Sequence, residues 1–138
     1  MGYAFPSEDW LKALCGELNG DAQYADVAKT WEGDILCVID PDSPDAAAGS
    51  SMGFYLDLWH GKCRNVEVRP LDDGSPKPKF VLRAQRGQFL KVVTGQLDPM
   101  QAMVTRRLRV DGDMAYMLRN VPVVLDFVRC ARKVEISG

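Results

Sequence analysis

Ser51 stands in Gly49-Ser50-Ser51-Met52-Gly53, the G-x-S-x-G spacing that holds a serine nucleophile on a strained turn in hydrolases. That chemistry needs a strand before the motif, a helix after it, and a histidine to take the serine's proton. Here a loop-like run precedes the motif and strand-like alternation follows it. The sole histidine, His60, comes too soon after Ser51 for the usual hydrolase order, and it reads as a turn residue. Asp111-Gly112-Asp113 has the opening of a calcium loop but lacks the further ligands that end in a bidentate glutamate, so it reads as a capped turn. Arg86-Gly87-Gln88-Phe89 has one glycine and no Lys-Ser/Thr after it, which makes no phosphate cradle. Cys15, Cys37, Cys63 and Cys130 include no C-x-x-C pair, and with one histidine a zinc site would draw on scattered ligands. The cysteines read as small buried hydrophobes. No catalytic residue, metal or cofactor is expected.

What remains is apolar. Met100 and Met103 form one pair spaced three apart, and Met114 and Met117 another, on what should be two different helices. Methionine fills irregular cores, and it also suits a surface that rearranges around variable apolar ligands. Both readings stand at the level of the residues alone. Arg106, Arg107 and Arg109 are the one local concentration of positive charge. They fit an outward strand face, or a contact with an anionic head group.

The elements that must position these residues are readable from caps and periodicity. Ser7 caps a helix with Glu8 and Asp9 in its first turn, and Trp10, Leu11, Leu14, Cys15 and Leu18 recur at helical spacing up to Asn19-Gly20. Asp21 caps a short second helix, about Ala22 to Thr30. Asp34 to Asp40 is a β-rich strand. Pro41 to Ser51 is a loop, and Phe54, Leu56 and Leu58 then alternate with Tyr55, Asp57 and Trp59. His60-Gly61-Lys62 is a tight turn into Asn65–Arg69, so Ile35 to Arg69 predicts three antiparallel strands. A loop and a fourth strand, Lys79 to Gln85, come next. A short helix from about Gly87 to Thr94 ends at Gly95. Asp98 caps a helix with Pro99 at its first position, and Arg107 to Asp111 is a fifth strand with Leu108 and Val110 inward. Asp113 caps a last helical stretch whose apolar stripe runs through Met114, Met117, Leu118, Val121, Val124, Leu125 and Val128. Pro122 should kink or restart it, with Asn120 as the new cap.

The chain of 138 residues is long enough for one domain, 1–138, with its own core. Hydrophobic residues at 46% and charged residues at 26% fit a soluble globular protein. A net charge of −2 leaves no electrostatic footprint for nucleic acid or an anionic membrane. The start, MGYAFPSEDW, is not a signal peptide, and no apolar run is long enough to span a bilayer. A cytoplasmic location is expected.

The order PSEDWLKAL, AKTWEGD, YLDLWHGKCR, KFVLRA and FLKVVTGQLDPMQAMVTRRLRVDGD resembles the sterol carrier protein family, the non-specific lipid-transfer domain, and most of all its single-domain bacterial and archaeal members. The resemblance covers about Pro6 to Val134. Its most specific frame is Gly95, Leu97-Asp98-Pro99, Met103, Leu108 and Gly112-Asp113. It implies an α/β (α+β) fold, with a five-stranded mixed, mostly antiparallel sheet covered by helices on one face and enclosing an apolar tunnel. It also implies a ligand: fatty acid, fatty acyl-CoA, phospholipid or sterol. Position in the frame and apolar periodicity together assign the tunnel wall to Phe89, Val93, Met100, Met103, Val104, Met114, Met117, Leu118, Val121 and Leu125. The chain departs from the family at Phe89, where members often carry Trp, and at Arg106, where they often carry Gly. The expected partner is thus a long-chain lipid or acyl ligand, with no nucleic acid, at most transient membrane contact, and a homodimer admissible. Against this carrier stand a docking or dimerisation module of lipid metabolism with no ligand of its own, and a small hydrolase using Ser51.

Overall fold

The structure, a computed structural model, describes residues 2–42, 51–70 and 77–136. Five strands form one sheet: β1 Ile35–Asp40, β2 Met52–Trp59, β3 Lys62–Arg69, β4 Phe80–Gln85 and β5 Arg109–Gly112. Their spatial order is β3-β2-β1-β4-β5. β1, β2 and β3 are the expected antiparallel meander, and β5 is antiparallel to β4. Among these five strands, the parallel pair is β1 with β4 at the centre of the sheet, Ile35 opposite Phe80 and Ile39 opposite Ala84. The mixed sheet implied by the resemblance is therefore present.

Side chains of a strand alternate between two faces. Ile35, Leu56 and Phe80 share one row, and Cys37, Phe54 and Leu82 share the next, all on one face. Phe54, Leu56 and Phe80 are fully buried there. Tyr55, Asp57, Arg69 and Arg83 lie on the opposite, wetter face.

The six helices among the described residues pack on the first face: α1 Glu8–Asn19, α2 Ala22–Val27, α3 Arg86–Val93, α4 Pro99–Val104, α5 Met114–Arg119 and α6 Val121–Ala131. Four starts are capped as the sequence predicts. Ser7 Oγ accepts from the Trp10 amide at 3.1 Å, Asp21 from Tyr24 at 2.8 Å, Asp98 from Met100 at 3.0 Å, and Asp113 from Tyr116 at 3.0 Å. Each cap satisfies an amide that the first helical turn leaves without an internal partner. Gly95, at φ +84°, ends the turn after α3 as expected.

Two local expectations, the end of α2 and the cap at Asn120, need correction, and a third, the restart at Pro122, is met. α2 stops at Val27 rather than Thr30, because Trp31 must leave the helix to reach the core, where its indole N–H donates to the Gly33 carbonyl at 2.9 Å. The final helical stretch is two helices, and Pro122 lies in the first turn of α6, where its missing N–H removes no helical bond. Asn120 precedes α6 but makes no side-chain cap; its amide donates backward to the Tyr116 carbonyl at 2.7 Å.

The β2–β3 hairpin turns at His60 (φ 51°) and Gly61 (φ 79°), the left-handed pair that matches strand twist. A Cβ on Gly61 would lie 2.6 Å from the Ala25 carbonyl oxygen, so this turn is pressed against the end of α2. An ion network around two buried carboxylates, Asp21 and Asp126, ties α2 to α6. The Arg129 guanidinium donates to Asp126 at 2.8 Å and to Asp21 at 2.6 Å, Lys133 donates to Asp21 at 2.5 Å, and Gln23 donates to Asp126 at 2.7 Å.

Candidate functional site

The inner sheet face and the helices do not close on each other completely. A cavity of about 80 Å³ lies between them. Its floor is Ile35, Cys37, Phe54, Leu56 and Leu82 from the sheet. Its roof takes Trp10 and Leu14 from α1, Phe89 and Val93 from α3, Met103 from α4, Met117 from α5, and Val124 and Phe127 from α6. The lining carries no carboxylate, amine or guanidinium. Burial alone pushes the Cys37 thiol up to about 12, and burial is also the main reason the Tyr24 phenol is raised. Trp10 on the wall holds a buried indole N–H with no acceptor among the described residues. The space can desolvate an alkyl group, and among the described residues no nucleophile with an attendant base faces it.

Four of the ten residues assigned to an apolar wall from the sequence meet at this cavity: Phe89, Val93, Met103 and Met117. Met100 and Val121 are half-buried outside its lining. Val104 is 81% exposed, Leu118 59% and Leu125 44%, and Met114 borders a different hollow. The single apolar stripe expected through this stretch is broken because the chain restarts at Asn120 and resets the helical phase. From α6, the lining comes instead from Val123, Val124, Phe127, Val128 and Ala131. The sheet floor went unassigned, although the alternation of Phe54, Leu56 and Leu58 signals a buried face. So did Trp10 and Leu14, whose spacing marks the same side of α1. Trp31 lies between elements, where periodicity says nothing.

A second hollow, open to solvent and about 320 Å³, is bounded by Met103, Arg106, Leu108, Arg109, Val110 and Met114. Met103 and Leu108 line both spaces. Arg106 has φ +60°, a left-handed conformation that costs a residue with a Cβ about 1–2 kcal/mol relative to glycine.

Among the described residues, the polar groups elsewhere come together in no nucleophile–base–acid set. Ser51 Oγ donates to the Asp40 carboxylate, which also accepts from Arg83 at 2.8 and 2.9 Å. The Arg83 contact is the main reason the Asp40 carboxyl lies below the usual range. His60 lies at the far end of β2, its Nε2 2.5 Å from Glu32. The length of an eight-residue strand, roughly 25 Å, separates it from Ser51, so no proton can pass between them. Gly49 and Ser50 of the hydrolase-like motif lie outside the described residues. Asp21, Asp126 and Cys130 bring ligand-type atoms within 4.8 Å of one another, but Arg129 and Lys133 already supply the positive charge there.

The sequence matches the model of the SCP-2 sterol transfer family over residues 11–124. A crystal structure of sterol carrier protein 2 superposes with a TM-score of 0.81 at 31% identity, covering 93% of this chain and 97% of that one. A Thermus thermophilus protein described as possibly a sterol carrier protein superposes at 0.83 with 29% identity, covering 99% and 94%. Hydroxysteroid dehydrogenase-like protein 2 of Xenopus tropicalis is 27% identical over 114 residues, 83% of this chain but 24% of that protein, so the chain spans about a quarter of this relative's length. The family model over residues 11–124 and the superposition at 31% identity agree: the chain belongs to the SCP-2 sterol transfer family.

Proposed function

We propose that the chain is a non-catalytic carrier that takes up a long-chain acyl lipid, such as a fatty acid, a fatty acyl-CoA, a phospholipid or a sterol-like molecule, into the space between sheet and helices. The observation that carries this reading is an interior cavity whose lining holds no charged group. Family membership supports the same ligand class. Residues 1–138 would act as one lipid-binding domain in the cytoplasm, with at most transient membrane contact.

Binding needs no covalent step. Each methylene moved from water into the cavity contributes about 0.8 kcal/mol, so affinity should rise about fourfold per carbon. About 80 Å³ has room for roughly six water-sized spheres, below the roughly 300 Å³ at which ligand pockets begin. A long chain must therefore widen the space into a tunnel. Met103 and Met117 can turn about three side-chain bonds to do so, and the short helices α4 and α5 that carry them have few buried residues holding them down.

Native mass spectrometry of freshly purified protein, followed by organic extraction, tests the reading. A stoichiometric adduct with the mass of an acyl lipid, and fatty-acid affinity that climbs with chain length, are the expected results. A clean apo mass with no uptake of added fatty acid or acyl-CoA, or affinity flat across the series, would overturn it.

A further inference from the structure

Cys15 of α1 and Cys63 of β3 are 48 residues apart in the chain and meet where α1 packs along the edge strand of the sheet. The Cys15 thiol donates to the Cys63 carbonyl at 3.4 Å, and the two thiols are in hydrogen-bonding contact with each other. Asn19, one turn after Cys15, fixes the pair. Its amide nitrogen donates to the Cys63 carbonyl at 2.9 Å, and its amide oxygen accepts from the Cys63 N–H at 2.8 Å. The same nitrogen lies 3.6 Å from the Cys15 sulfur. One side chain thus pairs with the outer backbone edge of β3 and holds both cysteines in register. Cys15 is half-buried and open to a small solute, whereas Cys63 is 4% exposed. Burial first, then contact with Cys15, push the Cys63 thiol well above its usual range. The other two thiols lie elsewhere, Cys37 on the cavity floor and Cys130 beside Arg129 on α6.

We propose that Cys15 and Cys63 are a peroxide-sensitive thiol pair that closes into a reversible disulfide in the folded protein, fastening α1 to β3. In the first step the Cys15 sulfur attacks one peroxide oxygen and the O–O bond breaks. Cys15 becomes a sulfenic acid, and the other oxygen leaves as water with the thiol's proton. The Cys63 sulfur then displaces that sulfenic hydroxyl, the S–S bond forms, and the Cys63 proton leaves with the hydroxyl as a second water. The two electrons given up by the thiols reduce one peroxide to two waters. Oxidation falls on Cys15 first because it is the reachable thiol of the two, and the second step needs no diffusional encounter because the sulfurs already touch. The bond would hold in place the helix that brings Trp10 and Leu14 to the cavity roof, and a thiol reductant would reopen it by exchange.

The test treats the reduced chain with hydrogen peroxide, quenches it with N-ethylmaleimide, weighs it intact and maps its peptides without reduction. The expected product is a monomer lighter by two hydrogens, with Cys15 and Cys63 in one cross-linked peptide and Cys37 and Cys130 still thiols. It should form at a rate independent of protein concentration, and dithiothreitol should reverse it. A disulfide that fits the native fold restrains the unfolded chain, so Tm should rise by at least about 5 °C on oxidation. Cys15→Ser, at a half-buried position, should abolish both the product and the rise in Tm while the reduced variant still unfolds cooperatively. Three results would each overturn the proposal: Cys15 carried on to a sulfinic acid while Cys63 stays a thiol, cross-linking only between chains, or a Tm that falls when the bond forms.

Discussion

Met117 and Leu118 are sequence neighbours on α5 and similar in size, yet one is 2% exposed and the other 59%. Truncating a fully buried methionine to alanine costs about 2–5 kcal/mol, from lost transfer energy plus the space left behind. Leu118 has roughly two fifths of its surface covered, so of the about 1.5–3 kcal/mol for full burial only about 1 kcal/mol is at stake. Alanine's better helix propensity returns a few tenths of that. Met117→Ala should therefore be less stable than Leu118→Ala by roughly 2 kcal/mol, about 8 °C in Tm for a chain of this length. Urea unfolding of both variants without ligand measures the difference. Met117 also faces the cavity, so its removal adds room there, and the fatty acid bound best should become longer in that variant and not in the other. Equal stability losses, or a greater loss at Leu118, would show that α5 presents a different face to the core and would refute the placement of the cavity wall.

Three further outcomes follow from the packing. Arg129, then Lys133, hold the Asp21 carboxyl far below its usual range, so the unfolded chain takes up that proton first as pH falls. The resulting stability is complete above about pH 4 and drains away below it, and Asp21→Asn should flatten the acid limb of a stability–pH profile. Gly61→Ala should cost at least about 1–2 kcal/mol in thermal unfolding, because its positive φ and the Ala25 carbonyl both oppose a Cβ. Burial lifts the thiols of Cys37, up to about 12, and of Cys130, up to about 11, and raises Cys63 as well. At pH 8, iodoacetamide should label the half-buried Cys15 first and the other three cysteines only when urea opens the fold, as peptide mapping would show.

The local features of this fold were legible because local chemistry determines them. Ser7, Asp21, Asp98 and Asp113 cap the helices they precede, and His60-Gly61 turns a hairpin, because each satisfies a backbone need within a few residues of itself. The pairing of β1 with β4 joins segments more than forty residues apart, and no spacing in the chain announces it; the mixed sheet came from the resemblance. For the wall of the cavity, helical periodicity marked that residues 114–128 are apolar but not the phase. On α5 Leu118 already faces solvent beside the buried Met117, and once the helix restarts at Asn120, Leu125 turns toward solvent while Val124 and Phe127 turn inward. The floor was missed for a different reason: the paired methionines point only to helices, whereas half of an enclosed space between two layers must come from the sheet.

The central place of β1 has a consequence for how the chain is made. β1, β2 and β3 can pair as soon as Arg69 has left the ribosome, but their apolar face waits for β4 and then for α6, which ends at Ala131. At about 5–20 residues per second, the intervening sixty or so residues take roughly 3–12 s to synthesise. Until α6 is made, only α1, α2 and the later short helices can cover Phe54, Leu56 and Leu58, and until Gln85 has emerged the edge of β1 lacks its parallel neighbour. A nascent chain arrested between β3 and β4 should therefore be the form most dependent on chaperones, and the form in which a hydrophobic guest could settle before there is a roof to pass through.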